Sequence, residues 1–186
     1  PLLQLGITKR LMGIAPERSM PALASPAYMK AYTSNFTASS AKNSPSPVVL
    51  WVDEFTAAQE PMLVGKAIDV LNALDCTPVV YYAPSGRALL SGGFLPQAKN
   101  SGENAVRGLQ DILQDLGDVP ILGLEASAVL SAVDEYTRLL DGSELEWVKA
   151  HKFQTIDHYL ASYLTTIEAP QQKFNSYKEA ILLHVH

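Results

Sequence analysis

Val48-Val49-Leu50-Trp51-Val52 runs straight into Asp53-Glu54-Phe55-Thr56, and the fold turns on this junction. An unbroken apolar run rich in β-branched residues suits a strand covered on both faces, where no alternating polarity is needed. The residues after it open a helix. Thr56 and Gln59 have capping-box spacing, and Val64, Ala67, Ile68, Leu71 and Leu74 recur at helical intervals beyond Pro61, near which the regular helix must begin.

Working outward, the pattern repeats. Pro78 to Tyr82 reads as a second strand. Leu95, Ala98, Ala105, Leu109, Ile112, Leu113 and Leu116 then mark the clearest amphipathic helix, stopped by Gly117. Pro120 to Leu124 reads as a third strand. A helix carrying Val129, Val133, Tyr136, Leu139 and Leu140 follows and ends at Gly142; Ser143 and Glu146 again have capping-box spacing. Ile156, Tyr159, Leu160, Tyr163 and Leu164 predict one more helix, and Ala180 to Val185 a fourth strand. Strands alternating with helices in this order specify parallel crossovers. The expected fold is α/β: three layers, a four-stranded mainly parallel sheet with helices on both faces, and a helical N-terminal extension.

That extension is residues 1–46, read as a helical connector and a flexible linker; 47–186 form the α/β unit. Leu2, Leu3, Leu5, Ile7, Leu11 and Met12 line one side of a short helix, with Lys9 and Arg10 solvated, and Ser39 to Pro47 reads as turn or linker. A start at Pro1 without a basic-then-apolar leader reads as an excised or processed piece of a longer protein.

Composition narrows the function. With 186 residues, 47% hydrophobic and 18% charged, the chain is globular rather than disordered. A net charge of -5 argues against nucleic acid as a partner. Its apolar runs fall far short of the roughly twenty residues that span a bilayer, so no membrane span is expected; with no leader in sight, a cytoplasmic location, at most peripheral to the inner membrane, is expected. A single cysteine, Cys76, excludes an internal disulfide and any iron-sulfur cluster held by this chain alone.

In open parallel sheets ligands collect at the carboxyl ends of the strands. Four segments should meet there: Asp53-Glu54-Phe55-Thr56, Ala83-Pro84-Ser85-Gly86-Arg87, Glu125-Ala126-Ser127 and His184-Val185-His186. Asp53 and Glu54 suit acid-base work or a hard metal, or simply a helix dipole. Ser85 to Arg87 suits an anion or a plain turn. Glu125 orients a loop or acts as an acid, and Ser127 suits a helix N-cap. His184 and His186 share a strand face and could reach one metal. His151 and His158, seven residues apart on the late helices, would share a face. Ser85 and Ser127 lack the Gly-Xaa-Ser-Xaa-Gly elbow of many serine hydrolases.

The same segments carry a likeness. Trp51-Val52-Asp53-Glu54-Phe55-Thr56 resembles a family motif Trp-Xaa-Asp-Cys-Phe-Thr. Pro84-Ser85-Gly86-Arg87-Ala88-Leu89 resembles Cys-Cys-Gly-Arg-Pro-Leu, and Gly123-Leu124-Glu125-Ala126-Ser127-Ala128 resembles Gly-Leu-Glu-Pro-Ser-Cys, a match continued by Asp134-Glu135-Tyr136. Leu182-Leu183-His184-Val185-His186 resembles Leu-His-Gly-His, and Leu2 to Pro21, through Lys9 to Pro16, looks like the connector that follows a ferredoxin-like segment. The family is the CCG, or cysteine-rich, domain of iron-sulfur oxidoreductases. It occurs in heterodisulfide reductase subunits and at the C-terminus of fused FAD-linked dehydrogenases of the glycolate oxidase and D-lactate dehydrogenase type.

The likeness covers the first half of that domain and nearly the whole chain. It implies a parent with FAD and 4Fe-4S clusters, and as partners the flavin and ferredoxin-like modules and the second CCG half. Yet each family cysteine that aligns is replaced here: Glu54, Pro84, Ser85 and Ala128 stand in those places. A carboxylate, a hydroxyl and a methyl group cannot substitute for thiolates toward iron and sulfide. The likeness therefore implies a half-domain without cofactor or turnover of its own, serving as scaffold. The alternative is an anion or single-metal crevice of Asp53, Glu54, Ser85, Arg87, Glu125, Ser127, His184 and His186. A half-domain without its companion exposes apolar surface, so self-association is expected.

Overall fold

In the computed structural model of the chain, the described residues are 6–175, except 12, 16 and 20–22. Four strands, β1 (Pro47–Val52), β2 (Thr77–Tyr82), β3 (Ile121–Gly123) and β4 (Phe153–Thr155), form one sheet in the order β2-β1-β3-β4. Every pairing is parallel, with Val49 opposite both Val79 and Ile121, and Ile121 opposite Phe153.

The helices are α1 (Gly6–Leu11), α2 (Ala27–Asn35), α3 (Ala38–Ala41), α4 (Glu54–Gln59), α5 (Pro61–Ala73), α6 (Arg87–Ser91), α7 (Leu95–Leu116) and α8 (Ala126–Leu130). A π-helical turn, Ser131–Glu135, leads into α9 (Tyr136–Leu139); α10 (Gly142–Ala150), α11 (Ile156–Tyr163) and a 3-10 turn, Pro170–Lys173, follow.

The strand pleat divides the core. Val48, Leu50 and Val52 point to one face, where Val64, Ile68 and Leu71 of α5 cover them and α11 packs alongside. Val49 and Trp51 point to the other, against Val106 and Leu109 of α7 and against Val129, Tyr136 and Val148. The result is the three-layer α/β fold expected. The chain changes face when it changes direction across the sheet: β1 to β2 passes through α5, while β2 to β3 and β3 to β4 return over the opposite face. That switch keeps the crossovers of one hand. Gly123 permits close approach of α8 to β3, because a Cβ there would run into the Val129 side chain.

The free edge of β2 is not left bare. The Val80 amide donates to the Phe36 carbonyl at 2.9 Å, so the link between α2 and α3 covers the strand edge. No helix among the described residues is long and apolar enough to cross a membrane.

Several expectations change. The fourth described strand is Phe153–Thr155; Ala180 to Val185 lies outside the described residues. The segment read as linker begins inside α3, where Thr37 and Ser40 form a reciprocal capping box and Ala41 is buried. Lys9 is buried rather than solvated, whereas Ile7 and Leu11 are exposed. Three helix starts also differ. Asp53, not Thr56, caps α4; Glu125, not Ser127, caps α8; and Asp141 precedes α10, with Ser143 bonded to Glu144 instead of Glu146. In the first two an acidic side chain at the strand end reaches the amides before the later hydroxyl can. His151 ends α10 and His158 lies within α11, with β4 between them, so they share no helix face.

Candidate functional site

Adjacent parallel strands end together, so the residues after β1 and β2 must meet. Val52 pairs with Tyr82, and just beyond them lie Asp53-Glu54 and Ala83-Pro84-Ser85. Asp53 is buried and wholly engaged at the helix start. Its Oδ1 accepts from the amides of Phe55 at 2.8 Å and Thr56 at 3.1 Å, and its Oδ2 from the Thr56 hydroxyl at 2.7 Å.

With Asp53 holding the cap, Glu54 is free to cross to the neighbouring loop. Its Oε2 accepts from the Ser85 amide at 2.6 Å and from the Ser85 hydroxyl at 2.9 Å, and its Oε1 lies 3.1 Å from the same hydroxyl. Ser85 is 0% exposed. Glu54 and Ser85, two positions that the resemblance sets against cysteines, therefore form one hydrogen-bonded pair.

The loop carrying Ser85 is fastened from several elements. Trp51 Nε1 donates to the Ala83 carbonyl at 2.9 Å, the Ser101 hydroxyl to Pro84 at 3.0 Å, and the Tyr136 hydroxyl to Ser85 at 2.8 Å. Three successive carbonyls thus each have a side-chain donor. The Arg87 amide donates to Ser85 Oγ at 3.2 Å. Between them Gly86 adopts the left-handed region, φ 73°, open to glycine at little cost. Burial, then the Glu54 carboxylate and other nearby acidic groups, drives the Tyr136 phenol well above its ordinary range, which keeps it a neutral donor.

Arg87 turns away from this pair. Its Nη1 donates to Glu135 Oε1 at 3.1 Å, with both side chains partly exposed. Glu135 Oε2 is buried without a hydrogen-bond partner. The π-helical turn Ser131–Glu135 delivers this carboxylate, a type of irregularity frequent at functional sites. Glu125 caps α8 through the Ser127 amide at 2.8 Å, and Ala128 is buried one residue later.

The structure therefore joins Glu54 to Ser85, sets Pro84 beside them, and spends Asp53, Arg87, Glu125 and the Ser127 amide on local bonds. His184 and His186 lie outside the described residues. Among the described residues no three His, Cys, Asp or Glu side chains come together as a metal site. Ser85 has a carboxylate partner, yet full burial denies it a substrate, which excludes it as an exposed nucleophile. Trp51, Ser101, Glu135 and Tyr136 were not foreseen as parts of this site. The family likeness carried the only hints, through Trp51 at the head of its first motif and through Asp134-Glu135-Tyr136 as a continuation of the third.

Compared with protein-family models, curated proteins and solved structures, the chain matches none.

Proposed function

We propose that this chain is a cluster-free, degenerate CCG-like half-domain of an FAD-linked iron-sulfur oxidoreductase acting on 2-hydroxy acids, and that it serves as a scaffold for the redox modules. The observation that supports this reading above others is the Glu54–Ser85 pair. Two positions that would carry thiolates in the family hold hard oxygen groups that satisfy one another. Pro84, with its carbonyl bonded to Ser101, and the buried methyl of Ala128 add no soft ligand. Loops so fully bonded suit a fixed surface more than a site that opens to bind.

The test is anaerobic reconstitution of the full chain with ferrous iron and sulfide, followed by iron, sulfide and absorbance measurements, together with flavin analysis of the longer polypeptide. The proposal expects colourless protein without stoichiometric iron, and FAD in the parent. Stoichiometric iron bound through this segment, or a parent lacking flavin, overturns it.

A further inference from the structure

A cleft of about 380 Å³ opens between α2 and α4, lined by Glu54 and otherwise by residues the proposed scaffold role leaves unused. Its volume lies at the small end of the roughly 300–1,000 Å³ typical of ligand pockets. Ala24, Pro26, Met29, Ala57 and Ala58 make most of its wall apolar. Small side chains here leave a gap where larger ones would close the joint between the helices.

The polar groups on its rim are unequal. Thr33 spends its proton on the Met29 carbonyl at 3.0 Å, and Glu54 is engaged by Ser85. Lys30 and Tyr82 also line the cleft, and neither the Lys30 ammonium nor the Tyr82 hydroxyl has a hydrogen-bond or ion-pair partner among the described residues. What stands unengaged is thus one cation and one hydroxyl donor above an apolar wall. Such a surface complements an apolar body ending in an anionic head. The negative charge of Glu54 on the same rim disfavours a multiply charged head such as phosphate, because like charges repel at this range.

We infer that this cleft binds a small aliphatic monocarboxylate, its carboxylate held by Lys30 and Tyr82 and its chain lying against Met29, Ala57 and Ala58. The inference is independent of the cluster-free reading, since it uses no cysteine-aligned position as a ligand.

The test is thermal and calorimetric titration of the full chain with hexanoate, hexanol, hexylammonium and inorganic phosphate. Hexanoate should raise the melting temperature saturably, hexanol less, and the other two not at all. Lys30→Gln, a change on an exposed helix position, should weaken hexanoate about two- to fivefold, the loss expected for a partly solvated ion pair, and bring it near hexanol. Ala58→Leu should reduce both aliphatic ligands by filling the cleft; if it fails to fold, Lys30→Gln still decides. The inference falls if hexylammonium or phosphate binds as well as hexanoate, if nothing saturates, or if Lys30→Gln leaves hexanoate affinity unchanged.

Discussion

Removing the Glu54 carboxylate tests what joins the two strand-end loops. In Glu54→Ala the Ser85 amide and hydroxyl lose their acceptor at a position that is 0% exposed. An unsatisfied buried donor costs about 1–3 kcal/mol. The hydroxyl can rotate toward another acceptor, whereas the amide cannot, so the expected loss is about 2–4 kcal/mol. Ser85→Ala is the milder change. Glu54 keeps the amide bond at 2.6 Å and, being only half-buried, recovers water in place of the hydroxyl. Its cost should be about 1–2 kcal/mol, part of it from the Arg87 amide that loses its acceptor. The double variant should cost less than the sum, because the two side chains share bonds. Urea denaturation with matched slopes measures all three, and Glu54→Ala should lower the melting temperature by about 5–15 °C for a chain of this length. The reasoning fails if Glu54→Ala stays within about 0.5 kcal/mol of the parent, the range of ordinary surface changes. It fails equally if Ser85→Ala proves the more damaging.

Two further outcomes follow from the same loops. Gly86→Ala should destabilise by about 1–2 kcal/mol, since the left-handed conformation at φ 73° penalises a Cβ by more than the unfolded chain gains in stiffness; the new atom also meets the Ala98 carbonyl at 3.2 Å. An unchanged or raised urea midpoint would refute this. The second outcome concerns alkaline pH. Burial first, then Asp111, pushes the Tyr81 phenol up to about 12, and burial first, then Glu54, raises Tyr136 as well. Folded values above the ordinary value near 10 mean that the unfolded chain sheds these protons first. Stability from these groups should be complete below about pH 10 and decline as pH climbs toward 12. Melting temperature followed with phenolate absorbance checks it, and Tyr136→Phe should shallow the decline. A flat profile, or phenolate from every tyrosine before unfolding, would contradict the assignment.

Much of the fold was legible because burial leaves a signature in linear order. β1 lies under helices on both faces, so its residues read as an unbroken apolar run. α7 spans Leu95–Leu116, long enough for its period to stand clear of chance. β4 was missed because Phe153–Thr155 offers a single side chain, Phe153, for full burial, and its partner is a three-residue strand. Helix caps were misplaced by two or three residues where acidic and hydroxyl candidates stood side by side and only the backbone path chose between them.

Composition and pattern alone determined an acidic α/β chain with layered crossovers, one thiol, and strand-end loops rich in polar groups, because those properties follow from which residues the chain owns and how often they recur. Tertiary structure decided which of those groups touch. Glu54 meets Ser85 across 31 positions of sequence, Arg87 meets Glu135 across 48, and Tyr136 meets the Ser85 carbonyl across 51. Such contacts depend on strand order, register and one π-helical turn. No local preference encodes them, since each arises only when separate elements are packed against the same sheet.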